Sequence, residues 1–117
     1  MKRVEAIVRP EKLQDVKNAL VEIGATGMTL EDVRGFGRQK GQTSTYRGIS
    51  YTVEFLTKKR LVLVVSEERL NLILETIATA AATGTIGDGK IFVLPIEAVY
   101  RIRTGERDDE DLSSSEG

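Results

Sequence analysis

Two short stretches combine glycines with basic side chains: GFGRQKG at 35–41 and TGTIGDGKI at 83–91. Glycine lets backbone N–H groups close on a ligand, because no Cβ stands in the way. In the second stretch Gly87 and Gly89 flank Asp88, and Lys90 follows. Such a turn can form a nest of N–H groups with a lysine as a point charge, which suits a phosphate. Gly-Asp-Gly also marks a simple turn. Further on, Arg101 and Arg103 stand two residues apart on a predicted strand. Both guanidinium groups would then leave one face and could grip phosphate oxygens bidentately. A solvated strand face carries the same spacing.

The patterns exclude as much as they suggest. There is no G-x-x-x-x-G-K-[ST] phosphate loop, and GFGRQKG is G-x-G-x-x-x-G with no crossover helix after it. Arg34-Gly35-Phe36-Gly37 copies the start of an RNA-binding strand motif. The aromatic positions that would stack bases are instead Arg38, Gln39 and Lys40. The chain has no cysteine, histidine or tryptophan, which removes disulfides, thiolate or imidazole metal sites and His- or Cys-based nucleophilic catalysis. No acid–base pair stands out, so the expectation is a protein that is not an enzyme.

A length of 117 residues, 40% hydrophobic and 30% charged, predicts one soluble globular domain for which self-assembly would help. MKRVEAIVRP lacks the long apolar core of a signal peptide. No run approaches the ~18 apolar residues of a membrane span, and the expected location is cytoplasmic. Net charge is −1, unevenly spread. Residues 106–117 hold six acidic residues and one basic; removing them from 18 and 17 leaves 12 acidic and 16 basic, a net +4. The division expected is a folded domain over 1–105 and an acidic, disordered tail over 106–117. A mildly basic body suits a small anion better than a long nucleic-acid track.

The elements that must position these residues follow from periodicity. VEAIV (4–8) reads as a strand closed by Pro10. Leu13, Val16, Leu20 and Ile23 fall on one helical face, and Gly24 is placed to end that helix. MTLEDVRGFG (28–37) reads as a strand, and RLVLVV (60–65) as a buried central one. Ser66 is expected to cap a second helix, with Glu67 and Glu68 in its first turn and Leu70, Ile73, Leu74, Ile77 and Ala81 as its apolar stripe. KIFVLP and IEAVYRIR read as two short strands. The fold class is α+β: a ferredoxin-like split β-α-β, in the order βαββαβ, with an extra C-terminal strand. Residues 37–55 are far longer than a connector needs, and their tip, TSTYRGISY, is polar. That predicts either a protruding functional loop or an extended hairpin.

Taken together, GFGRQKG, YRGISY (46–51), TGTIGDGKIFV (83–93) and RIRTGE (101–106) resemble the nitrogen-regulatory PII signalling proteins, over residues 1 to about 106. The resemblance implies a homotrimer that senses ATP or ADP and 2-oxoglutarate, and controls targets by docking its long loops. Targets in that family include an ammonium channel, nitrogen-assimilation or arginine-pathway enzymes, and a modifying enzyme; nucleic acid and direct membrane insertion are not implied. By resemblance, Gly87, Asp88, Gly89 and Lys90 would wrap the phosphates, and Arg101 and Arg103 would come from a neighbouring subunit. Arg38 would reach the terminal phosphate. Thr29 and the backbone at Val64 would hold adenine, with Gly35 and Gly37 near the sugar. Gln39 would be the side-chain ligand of a Mg²⁺ shared by the phosphates and 2-oxoglutarate. The backbone from Gly37 to Gly41, through Lys40, would approach the keto acid, and Lys58 would pair with its distal carboxylate. Mg²⁺ takes oxygen ligands, so the lack of histidine and cysteine is no obstacle.

Several positions depart from the family pattern. Tyr51 matches a tyrosine that many relatives have uridylylated, whereas Ile49 stands where others carry a phosphorylated serine. Ser50 replaces a common acidic residue, Thr57 a common proline and Glu11 a common phenylalanine. Ala82 and Thr85 stand where many members have basic residues. These departures leave open a specialised paralogue with an altered effector or partner. The alternatives are an RNA-binding module and a small nucleotide-dependent enzyme.

Overall fold

The computed structural model describes residues 1–37, 44–46, 49–51 and 54–108. Four strands form one sheet: β1 (Lys2–Val8), β2 (Met28–Gly37), β5 (Glu54–Val65) and β6 (Lys90–Pro95), in the spatial order β2-β5-β1-β6. Neighbours are antiparallel throughout. β1 and β2 therefore run parallel with β5 between them, and β5 and β6 run parallel with β1 between them. These two split crossovers carry α1 (Leu13–Glu22) and α2 (Glu67–Ala81), and this α+β arrangement is ferredoxin-like.

The helices cover one face of the sheet. Val4, Ala6 and Val8 of β1 and Leu61, Leu63 and Val65 of β5 point into the core, where Val16, Leu20, Ile73 and Ile77 meet them. Leu13, Ile23, Leu70 and Leu74 pack around that cluster, so both expected apolar stripes face inward. Two devices end α1. Gly24 takes φ +86°, and its N–H donates to Val21 O at 3.0 Å while Ala25 N–H reaches back to Leu20 O at 2.9 Å. Arg69, at the start of α2, donates to the carbonyl of Ile23 and satisfies another orphan acceptor.

Three expectations need correction. Ser66 occupies the N-cap of α2 but its hydroxyl makes no capping hydrogen bond; the residue is buried where β5 ends. β5 begins at Glu54, six residues before the apolar run, because its polar half pairs with β2 from Gly37↔Glu54 onward. The ion pairs Asp32–Lys59 and Glu31–Arg60 and the rings of Phe36 and Phe55, 4.8 Å apart, line that ladder. The strand expected over 96–103 shrinks to β7 (Val99–Tyr100), which pairs with β8 (Arg107–Asp108). Between them the chain reverses: Gly105, at φ +73°, donates to Arg101 O at 2.8 Å, and Arg101 N–H donates to Glu106 O at 2.8 Å. Arg101 and Arg103 thus lie at a turn, not side by side on a strand face. The long connector carries a small ladder of its own, β3 (Ser44–Tyr46) with β4 (Ile49–Tyr51).

Candidate functional site

At one end of the sheet the start of β5, the end of β2, the end of β1 and the loop leading into β6 converge. They enclose a groove of about 490 Å³ lined by Ile7, Gly35, Phe36, Leu56, Lys58, Thr85, Phe92 and residues 87–90. Register explains the convergence: Gly35 faces Leu56 and Val33 faces Lys58 across β2–β5, while Ile7 faces Lys90 across β1–β6. Gly35 leaves room for the lysine stem; a Cβ there would lie 3.4 Å from Lys58 Cγ. Six of the expected site residues, Gly35, Lys58, Gly87, Asp88, Gly89 and Lys90, meet in this groove.

The 83–89 loop folds around Asp88. Its carboxylate accepts from Thr83 N–H at 2.8 Å, from the Thr83 hydroxyl, from Gly84 N–H at 2.9 Å and from Arg9 Nε at 3.0 Å. These donors, the Thr83 hydroxyl foremost, hold its pKa well below the usual carboxylate range. The Asp88 side chain therefore closes its own loop rather than reaching outward. Gly87 and Gly89 take φ +100° and +104°, and Gly89 presses on β1 so closely that an added Cβ would sit 1.8 Å from Ile7 O. Glycine is demanded there by contact as well as by conformation.

Two cations tie the loop from outside. Lys58 Nζ donates to Gly87 O at 2.7 Å. Burial, and then the neighbouring Arg9 charge, push the Lys58 pKa down. Arg9 Nη2 donates to Thr85 Oγ1 at 2.9 Å and Ile86 O at 2.8 Å. Nothing local in the sequence marks Arg9. It sits between a strand and Pro10, and its partners are 76 to 79 residues away.

Other expected residues lie elsewhere. Thr29 is six residues from Gly35 along β2, about 20 Å at the rise of a strand. Val64 pairs with Arg3, near the opposite end of β5. Arg101 and Arg103 belong to the turn after β7 and do not line the groove. Gly37 closes β2 opposite Glu54, whereas Arg38, Gln39, Lys40 and Gly41 lie outside the described residues. Tyr51 faces Ser44 through the backbone ladder. Among the described residues no cluster of acidic side chains could hold a metal by itself. The expected Mg²⁺ would instead lean on phosphate oxygens and on Gln39, outside those residues.

Known proteins share this chain's pattern. A family model described as nitrogen regulatory protein P-II matches residues 1–106. The nitrogen regulatory protein P-II of Synechocystis sp. is 58% identical over 112 residues, 96% of this chain and 100% of that protein. Nitrogen regulatory protein P-II 1 of Escherichia coli (strain K12) is 53% identical over 109 residues, covering 93% and 97% of the two chains. The crystal structure of Arabidopsis thaliana PII bound to citrate superposes with a TM-score of 0.75 at 44% identity, over 92% of this chain and 88% of that one. The matched family model and these full-length relatives establish that this chain belongs to the nitrogen regulatory protein P-II family.

Proposed function

We propose that this chain is a signal transducer that binds ATP or ADP together with Mg²⁺ and 2-oxoglutarate, and controls target proteins through the loop between β2 and β5. The observation that carries the reading is the meeting of Gly35, Lys58 and residues 87–90 in one groove, with Lys58 and Lys90 as cations on its wall. A groove with lysines, glycine-rich backbone and apolar walls suits a nucleotide polyphosphate with a small carboxylate beside it. Citrate, bound by the Arabidopsis relative, is likewise a small multiply charged carboxylate.

Thr29, Val64, Arg101 and Arg103 lie away from the groove of their own protomer, so in this reading a neighbouring copy completes the cleft. Support for assembly comes from edge strand β6, where Phe92, Val93 and Leu94 are exposed in succession. Free apolar edges of this kind are usually covered. The expected assembly is a homotrimer. Two departures from the family pattern favour an altered effector response. Thr85 is bonded to Arg9, and Glu11 lies within electrostatic reach of Lys58.

Calorimetry tests the reading. ATP should bind without the keto acid, and 2-oxoglutarate should bind only with ATP and Mg²⁺ present. By linkage each must then tighten the other by the same factor. Tight 2-oxoglutarate binding to nucleotide-free protein would remove the metal-bridged mechanism. A monomer by sedimentation would remove the shared cleft.

A further inference from the structure

Arg9 is a cation with all its described side-chain bonds directed into one loop. Its side chain is only 14% exposed, and its fork reaches Asp88, Thr85 and Ile86 O at once, at 2.8 to 3.0 Å. The strand end that carries it cannot yield: Val8 is buried and Ile7 O abuts Gly89. Asp88, in turn, gathers Thr83 and Gly84 with its other bonds. The loop is thus clasped from both sides through one carboxylate.

We propose that Arg9 is a positioning residue for the phosphate-binding loop, acting in two ways. It straps residues 83–88 to the end of β1, and it pairs with Asp88, whose negative charge would otherwise weigh against phosphates in the groove. The inference rests on the reading of this groove as a nucleotide site. Arg9 contributes through the loop: its Nε and Nη2 engage Asp88, Thr85 and Ile86, and it is not among the described residues that line the groove.

The charge role separates this idea from a general loss of structure. Without Arg9, the Asp88 charge should repel phosphate; removing that charge should then help. The experiment compares Arg9→Ala, Asp88→Asn and the double variant, each checked for fold by circular dichroism. Amide NMR of the ligand-free protein and calorimetry with Mg-ATP supply the readouts. Arg9→Ala should shift the amides of Thr85, Ile86 and Gly87 and weaken Mg-ATP by about tenfold or more. The double variant should bind more tightly than Arg9→Ala alone. Unmoved loop amides in Arg9→Ala, or a double variant that binds no more tightly than Arg9→Ala alone, would overturn the proposal. Should Arg9→Ala not fold, Arg9→Lys keeps the charge without the fork. Intermediate affinity then supports the strap, and wild-type affinity with wild-type loop amides overturns it. If the wild type itself fails to bind Mg-ATP, the nucleotide reading falls, while the loop amides still decide whether Arg9 positions the loop.

Discussion

Gly89→Ala places a methyl group where the protein has no space. The new Cβ would lie 1.8 Å from Ile7 O and 2.9 Å from Ile7 C, both backbone atoms of an interior strand. Real Cβ contacts stop near 3.0 Å, so the loop must retreat by about 1.2 Å. A shift of that size along the Lys58–Gly87 bond would stretch 2.7 Å to about 3.9 Å, beyond hydrogen-bond range. Alanine at φ +104° adds about 1–2 kcal/mol of backbone strain. The lost lysine bond adds about 1 kcal/mol after discount for partial exposure. The expected destabilisation is about 2–4 kcal/mol, the upper part covering the packing that the shift would loosen. Gly84→Ala is the control, since φ is +84° there but no atom lies within 4 Å. It should cost only the strain, about 1–2 kcal/mol. Thermal melts at one fixed protein concentration measure both, at roughly 4 °C per kcal/mol for a domain of this size. Equal melting temperatures for the two variants would refute the crowding argument. It would mean that the loop withdraws from β1 at no cost.

Acid should act on the same loop. Asp88 is held below its ordinary value of 3.8, so its contribution is complete above that value and is lost as pH falls through the lower native one. Amides of Thr83 and Gly84, followed by NMR from about pH 6 downward, should keep their bonded shifts well below pH 4; a midpoint near the ordinary value would contradict this. Lys58→Met keeps the stem and removes the charge. It should weaken 2-oxoglutarate by about tenfold or more in the presence of Mg-ATP, and ATP alone by less. Equal losses in the two titrations would show that Lys58 serves the loop through Gly87 rather than the acid. Deleting residues 43–52 should leave the oligomeric state and ATP binding intact while abolishing target capture. Loss of the assembly would make the segment a structural element, and unchanged capture would move the docking surface elsewhere.

What the sequence determined by itself was local. Val16, Leu20, Ile73 and Ile77 announce their helices because a helical face is written within one or two turns of chain. Gly24 ends α1 because the left-handed residue it needs is set by the four residues before it. The glycine spacing of residues 84–89 and the basic residues near it were legible as a candidate anion site for the same reason. The polar first half of β5 was not, because cross-strand ion pairs with β2 give no hydrophobic signal along the strand. Nor was the turn that takes Arg101 and Arg103 off a strand, since alternation in IEAVYRIR reads the same whether or not a partner strand exists. Only the tertiary structure decided that Asp88 faces its own loop, that Arg9 clasps it and that Ile7 forbids a side chain at Gly89. The Asp88 bonds to Thr83 and Gly84 are local and depend on how the loop's backbone turns. The Arg9 and Ile7 contacts join segments about 80 residues apart, and contact at that separation is set by the packing of the sheet, not by spacing along the chain.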